Sequence, residues 1–242
     1  MLGLALARMH RIGKATIDAY LADDVLAEQM RSTRRPGDGS LTCQRWLDAT
    51  PAKRYAAQAL YGDLLQRDGL RVLDIGGGLT TFTREVARRH RLTLVDLMAH
   101  DDNIAIDAFL TSAPAFELVR RDWLEALAGF DGKYDVVVAA DLFPNVDQRL
   151  QMFLDRALPI AGEIRLSLTY YNEPRYYLTR RIEADEVLCM LAWDGAQTQR
   201  VLEGVRGRIS GPDFSIFSAR EDSVYGNGRQ VALVRMFGNC RQ

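Results

Sequence analysis

Arg71-Val-Leu-Asp-Ile-Gly-Gly-Gly-Leu-Thr-Thr81 decides the fold. An apolar strand ends in an acid, Asp74, and three glycines, Gly76 to Gly78, follow it. An amphipathic helix then begins near Phe82. About twenty residues beyond the glycines a second apolar strand, Leu92 to Val95, ends in another acid, Asp96. Strand, glycine turn, helix, strand and acid is the order of a nucleotide site in an α/β sheet. Glycines allow the tight turn and a close backbone approach to a ligand, and the second acid can accept from ribose hydroxyls.

The glycine loop alone does not say which nucleotide is bound. A dinucleotide fingerprint would carry Gly or Ala at Thr81, and a phosphate-cradling loop would carry Gly-Lys-Ser/Thr after the glycines; neither pattern is present. Asp74 discriminates better. A carboxylate so close to the first glycine repels a pyrophosphate and favours a cation. S-adenosylmethionine has a sulfonium and an α-ammonium group and no phosphate.

With these residues in order, the chain resembles the class I (Rossmann-like) S-adenosylmethionine-dependent methyltransferases from roughly Arg54 to Phe237. Val72-Leu-Asp-Ile-Gly-Gly-Gly78 is similar to that family's first cofactor motif, and Leu94-Val-Asp-Leu97 to its ribose-binding strand end. Arg121-Asp-Trp123 is similar to the adenine cap, and Tyr134-Asp-Val-Val-Val-Ala-Ala-Asp-Leu142 to the fourth strand, beside the methionine moiety and the acceptor. The resemblance implies cofactor contacts from Asp74, Gly76, Gly77, Gly78, Asp96, Leu97, Asp122, Trp123 and Ala140. Thr80 stands where the family often has a further glycine. Outside the resemblance, Asp96 also reads as a helix cap and Asp122 as a turn residue.

The expected architecture is a seven-stranded, mostly parallel Rossmann-like α/β sheet. A C-terminal antiparallel hairpin and a helical N-terminal extension complete it. Residues 1–68 form the extension, covering the site, and residues 69–242 the methyltransferase domain. In the extension, Ile17 to Met30 has helical spacing. Arg31 to Ser40 is a loop, either a disordered crossing or a lid. Thr50-Pro51 opens a helix running to about Arg67, on which Arg54 and Tyr55 are possible cofactor contacts. Strands are expected at 71–75, 92–96, 116–121, 135–140 and 163–170, and helices near 80–90, 103–112 and 145–157. A helical stretch from Glu183 to Trp193, a break at Asp194-Gly195 and a short helix to Val205 follow. Phe214–Phe217 and Val231–Phe237 are expected to make the hairpin around Tyr225-Gly-Asn-Gly228.

Composition narrows the function classes. The 242 residues suit one α/β domain, 48% hydrophobic, and a net charge of −1 gives no general attraction to nucleic acid or anionic membrane. Cys43, Cys189 and Cys240 are scattered, as are His10, His90 and His100, so no metal spacing exists and a reduced, cytoplasmic protein is expected. No apolar run approaches the ~20 residues of a membrane span. Only Lys14, Lys53 and Lys133 are lysines; the other basic residues are arginines spread along the chain.

Methyl transfer needs the acceptor atom aligned with the donor methyl, and a hydroxyl acceptor needs its proton taken. Ligands of such sheets sit at the carboxyl ends of the strands. Asp141, just after the fourth strand, and His100, after the second, are the candidate bases. Tyr170, Tyr171, Asn172 and Arg175 belong to the run Tyr170-Tyr-Asn-Glu-Pro-Arg-Tyr-Tyr177, whose aromatic and hydrogen-bonding groups suit a sugar or flat ring. The stretch Tyr170 to Trp193 is faintly similar to methyltransferases of bacterial surface-polysaccharide clusters. The expectation is O-methylation of a sugar or small-molecule hydroxyl, with a small-molecule or saccharide acceptor and no metal. A homodimer is compatible with the sequence. N- or C-methylation in natural-product biosynthesis is the alternative, and a non-catalytic subunit of the same fold is the alternative from another class. A nicotinamide oxidoreductase lacks its catalytic pair, a base-modifying nucleic-acid enzyme lacks Asn/Asp-Pro-Pro-Tyr, and nothing specific supports aminopropyl transfer.

Overall fold

The computed structural model describes residues 8–130, 132–181 and 186–240. In chain order they form β1 (His10–Arg11), α1 (Lys14–Leu21), α2 (Val25–Thr33), α3 (Thr42–Ala49), α4 (Pro51–Tyr61), β2 (Arg71–Ile75), α5 (Thr81–Arg89), β3 (Arg91–Val95), α6 (Asn103–Ser112) and β4 (Glu117–Val119). There follow α7 (Trp123–Ala128), β5 (Tyr134–Ala139), α8 (Leu150–Ala157), β6 (Ala161–Tyr170), β7 (Arg175–Arg181), β8 (Glu186–Ala192), α9 (Gly195–Glu203), α10 (Ser215–Ser218) and β9 (Gln230–Phe237).

Seven strands make one sheet in the order β1-β9-β6-β5-β2-β3-β4, and β7 and β8 make a separate antiparallel pair. β6, β5, β2, β3 and β4 are mutually parallel, while β9 runs antiparallel to both β6 and β1. Apolar side chains alternate between the two faces of the central strands. Val72, Val136 and Val138 pack under α2, α4 and α5; Leu73, Ile75, Val137 and Ala139 pack under α7 and α8. Burial on both faces is why these strands read as unbroken apolar runs. From β2 the chain winds outward to β3 and β4, then returns to β5 on the other side of β2. At that reversal neighbouring connections leave in opposite directions and open a crevice at the carboxyl ends of β2 and β5.

The N-terminal segment is tied into the sheet. β1 pairs with β9 through His10↔Leu233 and Arg11↔Ala232. Arg165, on β6 and nearly inaccessible, donates to the Leu60 carbonyl at the end of α4 and to both oxygens of Asp63.

Five local expectations are corrected. Ile17–Met30 is two helices, because Asp24 caps α2 by accepting from Ala27 N. Residues 31–40 are not a disordered crossing: Arg31–Thr33 finish α2, and Asp38 is buried in a two-pronged ion pair with Arg84 at 2.8 Å. The helical stretch expected at 183–193 is strand β8 over Glu186–Ala192, its remaining residues 183–185 lying outside the described ones. Short apolar runs do not separate strand from helix by periodicity. Phe214–Phe217 is not a strand: Ser215–Ser218 is helix α10, and β9 finds its antiparallel partners in β6 and β1. The antiparallel hairpin is instead β7–β8. The helix expected at 145–157 begins only at Leu150.

Candidate functional site

A cavity of about 610 Å³ opens at the crevice between β2 and β5. That is ample for a drug-sized ligand. The glycine loop and the ends of β2 and β3 form one end, with Cys43 of α3 and Tyr61 of α4 packed against them. α3, α4, the β7–β8 hairpin and the loop before β9 close the other.

At the first end, Gly76 and Gly78 take φ of 71° and 64°, where a side chain would be strained. A Cβ on Gly77 would overlap the Asp74 carboxylate, and one on Gly78 would overlap Cys43 Sγ. Asp74 alternates onto the α4 side of β2 with Val72, which sets it against Tyr61. The Tyr61 hydroxyl donates to Asp74 Oδ2 at 3.0 Å, and Asp74 Oδ1 is buried without a partner. Burial, with some help from nearby Asp96, raises the Asp74 pKa to about 7. Asp96 accepts from Met98 N at 2.7 Å and from Gly78 N at 3.1 Å, locking the glycine loop to the end of β3; burial still raises its pKa. Leu97 is 61% exposed and lines the cavity, as do Gly76, Gly77, Asp122, Trp123 and Ala140. Gly78 acts from behind, through its N–H.

Two of these residues carry structural duties. Asp122 caps α7 by accepting from Leu124 N at 2.9 Å, and it takes two hydrogen bonds from Arg149, which holds its pKa low. Trp123 is 4% exposed, packs edge-on against Phe143 and Phe153, and donates from Nε1 to Asp147 at 2.7 Å.

At the second end Asp141 takes a left-handed φ of 57°, and its N–H donates to Ser167 Oγ at 2.7 Å. Its carboxylate meets Lys53 Nζ at 2.8 Å, Arg229 Nη1 at 3.1 Å and the Thr169 hydroxyl at 3.3 Å. Burial opposes ionisation here, but the two cations outweigh it and hold the Asp141 pKa at about 2. Engaged by two cations, Asp141 is placed as an anchor, the alternative to the role of base that its position after the fourth strand also allows. Lys53 lies over the Trp46 ring at 4.5 Å and Arg229 over Tyr225 at 4.0 Å. His100 also lines the cavity, edge-on to Trp46 at 5.2 Å.

The tyrosine run is only partly at the site. Tyr170 points away, packing on Phe217 with its hydroxyl donating to the Ile216 carbonyl at 2.9 Å. Asn172 is exposed and reaches the Glu221 carbonyl. Tyr171 and Arg175 lie behind the wall: Arg175 stacks on Tyr171 at 3.8 Å, and the Tyr171 hydroxyl is 3.2 Å from that of Tyr177. Tyr177 itself lines the cavity with Met190. Arg175 and Tyr177 share one face of β7, so position along the strand, and not alternation, keeps Arg175 out of the lining. Similarly, Arg54 pairs with Asp24 and Tyr55 with His10, while their neighbour Lys53 faces the cavity. Sequence reasoning missed Trp46, Lys53, Tyr61, Tyr225 and Arg229. The isolation of Lys53 in an arginine-rich chain was the one available signal.

Among the described residues no group of three or more His, Cys, Asp or Glu could hold a metal ion, and no helix is long and apolar enough to cross a membrane.

No protein-family model and no curated protein sequence matches the chain. Solved structures do. The DhpI complex with SAH is 15% identical, with 94% of this chain and 100% of that one covered and a TM-score of 0.52. The N-terminal domain of EvdMO1 with SAH bound is 15% identical over 76% and 79% of the two chains, with a TM-score of 0.47. Magnesium protoporphyrin IX methyltransferase (ChlM) from Synechocystis PCC 6803 with bound SAM is 16% identical over 94% and 100%, with a TM-score of 0.45. The first likeness shows a shared fold, the Rossmann-like α/β fold; no conclusion rests on the other two.

Proposed function

We propose that this chain is an S-adenosylmethionine-dependent methyltransferase acting on a small-molecule acceptor. The observation that carries the reading is the buried, unpartnered Oδ1 of Asp74 beside a glycine loop that no side chain could enter. An unpaired buried carboxylate oxygen is costly, and an ammonium group repays that cost. Asp74 would hold the cofactor's amino group, Gly76 and Gly77 its carboxylate end, Asp96 its ribose hydroxyls and Leu97 one face of its adenine. When bound, S-adenosylmethionine supplies a methyl group activated for in-line displacement. The protein's own part is to align the acceptor, exclude water beneath the β7–β8 hairpin and receive a proton where the acceptor is a hydroxyl. With Asp141 held by two cations, His100 is the group proposed for that proton.

The finer reading is O-methylation of a sugar or small-molecule hydroxyl, as in surface-polysaccharide assembly, in the reducing cytoplasm that the scattered thiols suit. Residues 1–68 act in it as the cover of the site, since Trp46, Lys53 and Tyr61 come from them. Calorimetric titration with S-adenosylhomocysteine, with NAD in parallel, tests the reading. Micromolar binding of the first and none of the second is expected; binding of NAD alone, or of neither, would remove it.

A further inference from the structure

We propose that the acceptor carries an oxyanion, a carboxylate or a phosphate group, and that Lys53 and Arg229 dock it. The inference rests on the methyltransferase reading above.

The charges lining the cavity fall into groups. Asp74 and Asp96 stand beside the glycine loop, and Arg149 pairs with Asp122 and Asp147. The remaining group is two cations and one carboxylate: Lys53 and Arg229 both converge on Asp141. Among the described residues no second carboxylate pairs with either cation, so the cluster keeps a net charge of +1. Asp141 stays ionised throughout the physiological range, and so does Arg229. Lysine carries three donors, and only one is directed at Asp141. Trp46 and Tyr225 flank the cations and limit the water that could screen them. A net charge is more costly in such a place than in bulk water, and a ligand of opposite sign recovers that cost. A neutral sugar or flat ring would cover the cations without compensating them. A carboxylate or phosphate is planar or compact enough to bridge an ammonium and a guanidinium. Asp141 then sets their spacing, and it repels an oxyanion from the strand end where the methyl group must be presented.

The test uses protein saturated with S-adenosylhomocysteine, titrated at constant ionic strength with D-glucose, D-glucuronate, glucose 6-phosphate and inorganic phosphate. At least one anionic probe should bind about tenfold or more tighter than glucose, a charge-assisted hydrogen bond being worth that much. Whether glucuronate or glucose 6-phosphate leads identifies the carboxylate or the phosphate. Lys53→Met and Arg229→Met should each erase the preference with cofactor-product affinity unchanged, and Lys53→Arg should restore most of it. The retained S-adenosylhomocysteine affinity reports that the variants are folded. Equal binding of glucose and the anions, no binding of any anion, or a preference that survives in both variants overturns the inference while leaving the methyltransferase reading standing. Failure of the wild-type protein to bind S-adenosylhomocysteine removes both.

Discussion

Asp74 and Asp141 follow the same rule of position, at the carboxyl ends of adjacent parallel strands, and their surroundings drive them apart. Asp74 has one tyrosine hydroxyl and one bare oxygen, so burial wins and its pKa rises to about 7. Asp141 has two cations, so attraction wins and its pKa falls to about 2. The raised group binds its proton more tightly when folded than when unfolded, where a carboxylate titrates near ~3.9. Its stabilising contribution is therefore complete below pH ~4 and lost as pH rises through about 7. The unliganded protein should lose melting temperature between those values, and Asp74→Asn should flatten that slope while weakening S-adenosylhomocysteine about 10- to 100-fold. A cofactor ammonium needs the ionised form, so binding at pH 6 should release a proton, read as a buffer-dependent enthalpy. The depressed Asp141 behaves oppositely: its contribution is present above pH ~4 and is lost as pH falls through about 2. Turnover should then show no Asp141 titration between pH 5 and 9, about the range of an ordinary assay. Asp141→Asn, which keeps a residue tolerant of the left-handed backbone, should retain cofactor binding and misplace the acceptor, raising KM more than it lowers kcat. A fall in kcat alone, with loss of one limb of the pH profile, would return the base to Asp141.

Single elements carry the site's walls. The segment after α2 is fixed by Asp38 and Arg84, both 3% exposed. Removing one partner leaves a buried charge, so Asp38→Ala should cost about 3–5 kcal/mol in denaturant unfolding, whereas the double variant Asp38→Ala/Arg84→Met should recover part of it. The β7–β8 hairpin places Tyr177 and Met190 inward and leaves Tyr176, Leu178, Val187 and Leu191 outward and exposed. Tyr177→Ala should raise acceptor KM several-fold with S-adenosylhomocysteine affinity unchanged, whereas Tyr176→Ala should alter neither. The hairpin is also where the sequence was least legible. Glu186-Val-Leu-Cys-Met-Leu-Ala192 is apolar on both faces, so neither a period of two nor one of 3.6 stands out. In contrast, β2, β3 and β5 are legible because burial on both faces leaves mostly apolar strands with an acid at or just past the carboxyl end.

At the scale of the molecule, the site belongs to no single segment. The first 68 residues give Trp46, Lys53 and Tyr61, the central strands give Asp74, Asp96 and Asp141, and the chain's end gives Tyr225 and Arg229. β1 closes on β9, and α2 and α4 share one core cluster with Val72, Val136 and Val138. A fragment of residues 69–242 should therefore fail to give cooperative thermal unfolding or to bind S-adenosylhomocysteine. A sharp transition with retained binding would show that the extension is dispensable.

The sequence by itself determined the five parallel strands, the glycine turn and the two acids at the carboxyl ends of β2 and β3. Those features are local: burial on both faces writes itself as apolar runs, and a tight turn writes itself as glycine. The tertiary structure alone decided which charges meet. Lys53, Asp141 and Arg229 are far apart in the chain, and no pattern of neighbours records their convergence on one strand end. The same holds for Asp122 and Trp123, at positions matched to an adenine cap yet occupied with Arg149 and Asp147. A side chain's chemistry depends on its partners in space, and those partners are set by packing rather than by spacing.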